Sequence, residues 1–331
     1  MCCGSLLGSR RRDGMLTSAD IKATSREIGF DVCGIAPAVD HPELRFFQQW
    51  LEREYAGEMA YLRRSADRRA DVRHILPSAR SVIVSGTIYN VDRPYSTECA
   101  DPSRAHIARY AWGDDYHGVI EQRLDALVAW MRDASPEPFD ARRYVDTGPV
   151  QERVYAQHAG VGWIGKNTCV INPALGSWLF LGEIICSLPL DPDPPSFDQC
   201  GACTLCLDAC PTHALVAPGV LDATRCLSYL TIELRGAIPD ALQAGVGTHV
   251  YGCDVCQEVC PWNAAPPVSA DPAWQPRPAW DMRTTLELAR TSDQELTAAL
   301  RGSAMQRAKV GGLRRNITIA QRNAEATEVR R

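Results

Sequence analysis

Along the first 190 residues the apolar and polar positions switch repeatedly between two periods. Thr17-Ser-Ala-Asp20 has the arrangement of a helix start. Ile21, Ile28 and Phe30 follow on one stripe and Gly29 supplies a stop, which predicts a helix over about 17–29. The β-branched run ARSVIVSGTIY (79–89) predicts a buried strand. In HGVIEQRLDALVAWMRDA the apolar residues at 119, 120, 124, 127, 128 and 131 keep the spacing of an amphipathic helix. RYVDTGPV predicts a short strand running into a turn at Gly148-Pro149, VQERVYAQHAG a helix, and SWLFLGEIICS (177–187) another strand. Strands alternating with helices predict a layered α/β or α+β domain.

Past residue 190 the pattern changes. DPDPPSFD (191–198) is proline-rich and predicts a linker. A cysteine-rich segment follows to about Trp262. A second proline patch (Pro266, Pro267, Pro272, Pro276, Pro278) precedes a helical C-terminal region. The expected division is an extension without order over 1–14, a layered domain over 15–190, a cysteine domain over 191–265 and a helical region over 266–331.

With 331 residues, 45% of them hydrophobic, the chain can bury full cores. No apolar run approaches the roughly 18–20 residues a membrane helix needs. In MCCGSLLGSRRRDGM a short apolar patch precedes the arginines, the reverse of a secretory signal, and lipidation of Cys2 or Cys3 is the disfavoured reading. Fourteen cysteines without such a signal predict a reducing cytoplasm, where thiols bind metal or stay free.

The stretch CGACTLCLDACP carries Cys200-x2-Cys203-x2-Cys206-x3-Cys210-Pro211, the spacing of a bacterial ferredoxin half-motif. Three thiolates on a tight loop grip three corners of an Fe4S4 cube, and the fourth cysteine of such a run ligates the other cluster. YGCDVCQEVCPWN repeats the theme with Cys253, Cys256 and Cys260, but Val259 stands where a local fourth ligand is expected. The first cluster is therefore assigned Cys200, Cys203, Cys206 and Cys260. The second takes Cys210, Cys253, Cys256 and, as the obvious remaining donor, Cys226. Zinc is the alternative, since Cys-x2-Cys pairs also build zinc knuckles, but this spacing suits a tetrahedral site poorly. Cys33, Cys169 and Cys186 sit in apolar segments and read as small buried side chains. Cys2, Cys3 and Cys99 carry no signal.

AGVGWIGKNT matches a dinucleotide fingerprint at Gly160-x-Gly162-x-x-Gly165 and falls one residue short of a phosphate-binding loop. Both need a strand before the glycines and a helix after them, and neither is expected here, so both are rejected. The glycines are expected to let backbone approach something bulky, with Lys166 and Asn167 as polar contacts.

The sequence resembles the epoxyqueuosine reductase family from about Ser18 to Ala320. The likeness rests on DVCGIAPA, GEMAYL, ARYAWGDDYH, VDTGPVQER, GWIGKNTCVINPALGSWLFLGEI, the cysteine runs and CLSYLTIELRGAIP. It departs from the family in its N-terminal extension and in lacking the longer helical-repeat tail some members carry. The resemblance implies an α+β fold: an N-terminal cobalamin-binding domain like that of reductive dehalogenases, a ferredoxin-like domain with two [4Fe-4S] clusters, and a helical end. It implies that cobalamin and two [4Fe-4S] clusters serve the reduction of epoxyqueuosine to queuosine at the tRNA wobble position, with electrons from an external low-potential donor, in a cytoplasmic monomer.

For individual residues the resemblance implies Asp146, in VDTGPV, as the proton donor to the opening epoxide, and Arg69, Arg109, Lys166, Asn167 and Ser228, with Asp146, as cobalamin contacts. An acid in that role needs its pKa raised by desolvation; read from its turn alone, Asp146 is a capping residue. His117 reads as a residue that opens the helix after it.

The net charge of −5 excludes a uniformly basic nucleic-acid binder, yet Arg301 to Arg331 holds eight Arg and Lys against two Glu. Arg235, Arg307, Lys309, Arg314 and Arg315 are the candidate tRNA contacts. Two other classes compete: a corrinoid reductive dehalogenase, disfavoured for want of a twin-arginine signal, and a ferredoxin-type electron-transfer module, disfavoured by the large upstream domain.

Overall fold

The computed structural model describes residues 16–329, so the extension over 1–14 lies outside the described residues. Helix α1 (Ser18–Ile28) begins at the expected capping box. Thr17 Oγ1 accepts from Asp20 N, and the Asp20 carboxylate accepts from the Thr17 hydroxyl and N–H. Gly29 closes the helix in the left-handed region at φ 111°.

The chain next forms β1 (Val32–Pro37), β2 (Ser81–Ile88), helix α2 (Tyr116–Ala134), β3 (Ala141–Tyr144), helix α3 (Glu152–His158) and β4 (Leu179–Cys186). The four strands make one sheet in the order β1-β2-β4-β3, every pair antiparallel. That antiparallel sheet makes the domain α+β. Register is fixed by apolar alternation on two buried faces. Ile35, Ile83, Ile184 and Cys186 face α1 and α2, meeting Ile120, Leu124, Leu127 and Met131. Ala36, Val82, Val84 and Ile185 face α3, meeting Val154, Tyr155 and Ala156. A helix on each face explains why all eight residues of β2 are buried.

The proline-rich stretch 191–198 has no regular structure but is tied to the sheet, since the Asp193 carboxylate accepts from Ile35 N at 2.9 Å and Lys22 Nζ at 2.6 Å. The C-terminal region packs helix α4 (Lys309–Glu328) through Leu313, Ile317 and Ala320 against Val250, Tyr251, Leu288 and Leu296. Asn316, fully buried on α4, donates to the carbonyls of Thr231 and Val250, so this helix is joined to the cysteine segment by hydrogen bonds as well as packing.

The glycine-rich stretch follows α3 and runs into a two-stranded hairpin, Trp163–Ile164 with Val170–Ile171. A Cβ at Gly162 would lie 2.4 Å from the Ile171 carbonyl oxygen. The bulky neighbour expected of these glycines is thus the protein's own hairpin.

Candidate functional site

The eight cysteines of the two runs separate into two groups. Cys200, Cys203, Cys206 and Cys260 line one cavity with Lys166, Asn167, Ile171, Pro261 and Trp262. Cys210, Cys226, Cys253 and Cys256 are mutual electrostatic neighbours. Each run builds a tight loop followed by one short helix, Leu205–Asp208 or Val255–Glu258, and these two helices pack on each other, which hands the last cysteine of each run, Cys210 or Cys260, to the opposite group. Burial pushes the Cys206 thiol up to about 11 and Cys253 well above its ordinary range. Such thiols remain protonated until a cation replaces the proton, so the donor set fits a thiolate-bound metal centre. Cys169, expected to be an anonymous core residue, lies instead in contact with Cys256.

Several residues expected at the corrinoid are occupied elsewhere. Arg109 is 2% exposed, and its guanidinium donates to the carbonyls of Val91 (2.6 Å), Arg93 (3.0 Å) and Pro94 (3.2 Å) among the rings of Tyr95, Trp112 and Trp178. It has no free face for a ligand, which corrects that assignment. Lys166 Nζ donates to the carbonyls of Gly201 (2.6 Å) and Cys203 (2.9 Å), and Asn167 Nδ2 to that of Cys256 (3.1 Å). Both hold the cysteine loops. The Ser228 hydroxyl bonds the Cys226 thiol.

Asp146 ends β3 on a loop with φ 51°, in the left-handed region that Asp tolerates better than most residues. The following turn requires Gly148, because a Cβ there would lie 2.4 Å from the Tyr144 ring. The Asp146 carboxylate accepts from the Tyr116 hydroxyl at 2.9 Å and meets His117 Nε2 at 3.5 Å. His117 Nδ1 bonds Asp115 at 2.7 Å. Burial lowers His117, but the Asp115 and Asp146 carboxylates outweigh it and lift the imidazole to about 9. Hydrogen bonds and charge from His117 and Tyr116 outweigh the desolvation that would raise this solvent-facing carboxylate and hold Asp146 below the usual carboxylate range. The raised pKa expected of a proton donor is therefore absent from the protein on its own. At neutral pH the proton sits on His117, which does more than open its helix.

Around this carboxylate stand groups the sequence reading passed over. Glu152 Oε1 accepts from Asp146 N at 2.5 Å, and the fully buried Glu183 on β4 lies against Glu152. A single acid in the apolar run SWLFLGEIICS was the available signal. Tyr61 is exposed and shares its surroundings with Asp146, Arg69, Arg307 and Glu233. Arg69 donates to Ser65 Oγ and the Val150 carbonyl on the same side. A large amide-rich ring would find polar partners along this rim and an aromatic face beside them, so the residues present fit one. Tyr229, three residues past Cys226, accepts from Glu58 N at 2.9 Å and so connects this rim to the second cysteine group.

Of the basic residues proposed for RNA, Arg314 is held by Asp293 and the carbonyls of Ala289 and Thr291. Arg315 is held by the carbonyls of Leu230, Leu234 and Gly236. Both are structural clamps, which corrects their assignment. Arg307 pairs with Glu233 at 2.7 Å beside Tyr61, Arg235 donates to the Arg307 carbonyl, and Lys309 is exposed. Among the described residues, no helix is long and apolar enough to cross a membrane.

Comparison with known proteins agrees with this geometry. The family model described as "Epoxyqueuosine reductase QueG, DUF1730" matches residues 69–147, and a "4Fe-4S double cluster binding domain" matches 199–263. Epoxyqueuosine reductase of Gloeobacter violaceus is 43% identical over 311 residues, covering 92% of this chain and 95% of that protein. A crystal structure of epoxyqueuosine reductase with a tRNA-Tyr epoxyqueuosine-modified stem loop superposes at a TM-score of 0.81 with 30% identity, over 94% of this chain and 82% of that one. The Bacillus subtilis enzyme, solved with an aspartate-bearing catalytic loop swung out of the active site, gives the same TM-score, identity and coverage. With two cysteine groups and a carboxylate, imidazole and phenol cluster in one protein, and with relatives this similar along nearly its whole length, the chain belongs to the epoxyqueuosine reductase family.

Proposed function

We propose that this protein reduces epoxyqueuosine in tRNA to queuosine. The balanced step takes the epoxide, two electrons and two protons to an alkene and water. The observation that carries the reading is the presence in one protein of two groups of four thiols and of the Asp146, Tyr116 and His117 cluster, with Arg153 acting electrostatically on both Asp146 and Cys169, the neighbour of Cys256. Cys200, Cys203, Cys206 and Cys260 hold one [4Fe-4S] cluster; Cys210, Cys226, Cys253 and Cys256 hold the other. Cobalamin, when bound, supplies low-valent cobalt as a two-electron reductant. Arg69 and Tyr61 line its rim, and Ser228 acts through its bond to Cys226.

In this reading Asp146 is the acid that meets the developing alkoxide, and the charged His117 beside it orients the carboxylate. The open left-handed loop of Asp146 supports its role, as does the mobile aspartate loop of the B. subtilis relative. The partner is a tRNA stem loop, as in the related complex. Arg307 beside Tyr61, Arg235 bonded to the Arg307 carbonyl, and the exposed Lys309 are the phosphate contacts in this reading. The flipped wobble base enters between them and Asp146. The division at about residues 190 and 265 belongs to the same proposal.

The test is genetic. Deleting the gene and digesting bulk tRNA to nucleosides is expected to reveal accumulated epoxyqueuosine. Unchanged queuosine overturns the assignment.

A further inference from the structure

The reaction consumes two protons, and a single carboxyl at Asp146 supplies one at a time. Where the second comes from is set by the ground behind that residue. Glu183 projects from β4 on the face that carries Ile185, toward α3, and is 0% exposed. Both of its oxygens lack a hydrogen-bond donor among the described residues. A carboxylate so placed, with no cation and no donor, costs several kcal/mol to keep ionised. Its neighbour is a second carboxyl, that of Glu152 at the start of α3. Two carboxyls in contact without a cation are stable when they share a proton, one as acid and one as acceptor. Glu152 also touches the residue of the acid, since its Oε1 accepts the backbone N–H of Asp146. The Asp146 carboxylate is close enough that its charge raises the pKa of both glutamates.

We propose that Glu152 and Glu183 form a one-proton store behind the active site that reloads Asp146 between the two proton transfers of the reaction. The inference rests on the function proposed above. In the reloading step an O–H bond of the Glu152–Glu183 pair breaks and an O–H bond forms on the Asp146 carboxylate. No electron moves, and the pair recovers its proton from solvent before the next turnover. Glu152 and Glu183 are positioning residues here, because they act through Asp146.

The electrostatics agree. Burial, followed by the negative charge of Asp146, lifts Glu152 to about 7. Burial, followed by Glu152, puts Glu183 well above the carboxylate range. The charged and titratable groups facing the pair are Asp146 on its loop, Arg153 on α3, Tyr116 on α2 and Arg69. Neither arginine forms an ion pair with either glutamate among the described residues. Glu183 is therefore held as the acid, and Glu152 titrates near neutrality, where a proton can be both held and given up.

Infrared titration of the holoenzyme and its single-turnover pH profile test this together. Wild-type protein is expected to show a protonated-carboxyl stretch at neutral pH that shifts in heavy water. Glu183→Gln, nearly isosteric, should abolish that band and slow product formation by about tenfold or more, with the pH limb near 7 lost and iron and corrinoid contents unchanged. Glu152→Gln should keep the band, because Glu183 stays neutral against an amide, yet lose the same limb; this variant decides the matter if Gln at 183 prevents folding. A wild-type protein without the band, or variants with wild-type rates and pH profiles, would overturn the proposal. If the wild type itself makes no queuosine, the function proposed above fails instead, and the infrared titration still reads the carboxyl pair.

Discussion

Replacing Asp146 with Asn should move the titration of a different residue, His117. The imidazole is lifted from 6.5 to about 9, a preference for the charged form worth roughly 3 kcal/mol. Two carboxylates supply it unequally. Asp115 is hydrogen-bonded at 2.7 Å, whereas Asp146 stands at 3.5 Å with its side chain 61% exposed. A fixed pair at that distance in a medium of effective dielectric about 20 would be worth several kcal/mol. Solvent screening of an exposed partner cuts this to about 1 kcal/mol or less.

Asp146→Asn is therefore expected to lower the His117 pKa by about one at most, and Asp115→Asn by more. The folded-state pKa of His117 lies above the unfolded value, so its stabilisation is complete below about 6.5 and is lost as pH rises through about 9. Asp146→Asn should accordingly destabilise the protein below neutrality and leave it unchanged well above pH 9. The assay is an NMR titration of histidine Cε1–H on labelled protein, with His117 assigned by its disappearance in His117→Gln. An imidazole titrating near 6.5 in wild type, or one indifferent to Asp146→Asn, refutes the reasoning. The same variant should keep its iron and corrinoid yet lose turnover, and wild-type rates would remove Asp146 from the acid role.

Two further outcomes follow from the site. Cys226→Ser should lower bound iron by about one cluster, four of eight irons, and a full complement with an unchanged visible spectrum would show that Cys226 is not a ligand. Arg109→Met leaves one buried carbonyl and two partly buried ones without their charged donor and should cost on the order of 2 kcal/mol, seen as a lower denaturant midpoint; an unshifted midpoint would mean the guanidinium contributes nothing inside the protein.

Local and periodic signals were legible from the amino acids. Thr17 and Asp20 announce α1 because a capping box is complete within four residues. The apolar stripe of α2 and the β-branched run of β2 report burial directly, since each period has one structural meaning. The two cysteine runs sort into two groups from their spacing, because a tight loop can present only three thiols to one cluster, and Cys226 joins the second group as the remaining donor. Polar residues were read less well. Arg314, Arg315, Lys166 and Asn167 look like ligand contacts in a string of letters, and each turns out to be held by carbonyls from segments roughly 20 to 90 residues away.

Sequence by itself thus determined the capped helix, the buried strands, the grouping of the eight cysteines, and the placement of Asp146 on a turn. Tertiary structure decided what surrounds that carboxylate. It brings Tyr116 and His117 from α2 to one side of Asp146 and Glu152 and Glu183 from α3 and β4 to the other. The physical reason is that a charge takes its pKa from neighbours within a few ångströms and from the water it has lost. Those neighbours come from chain positions that no local pattern connects.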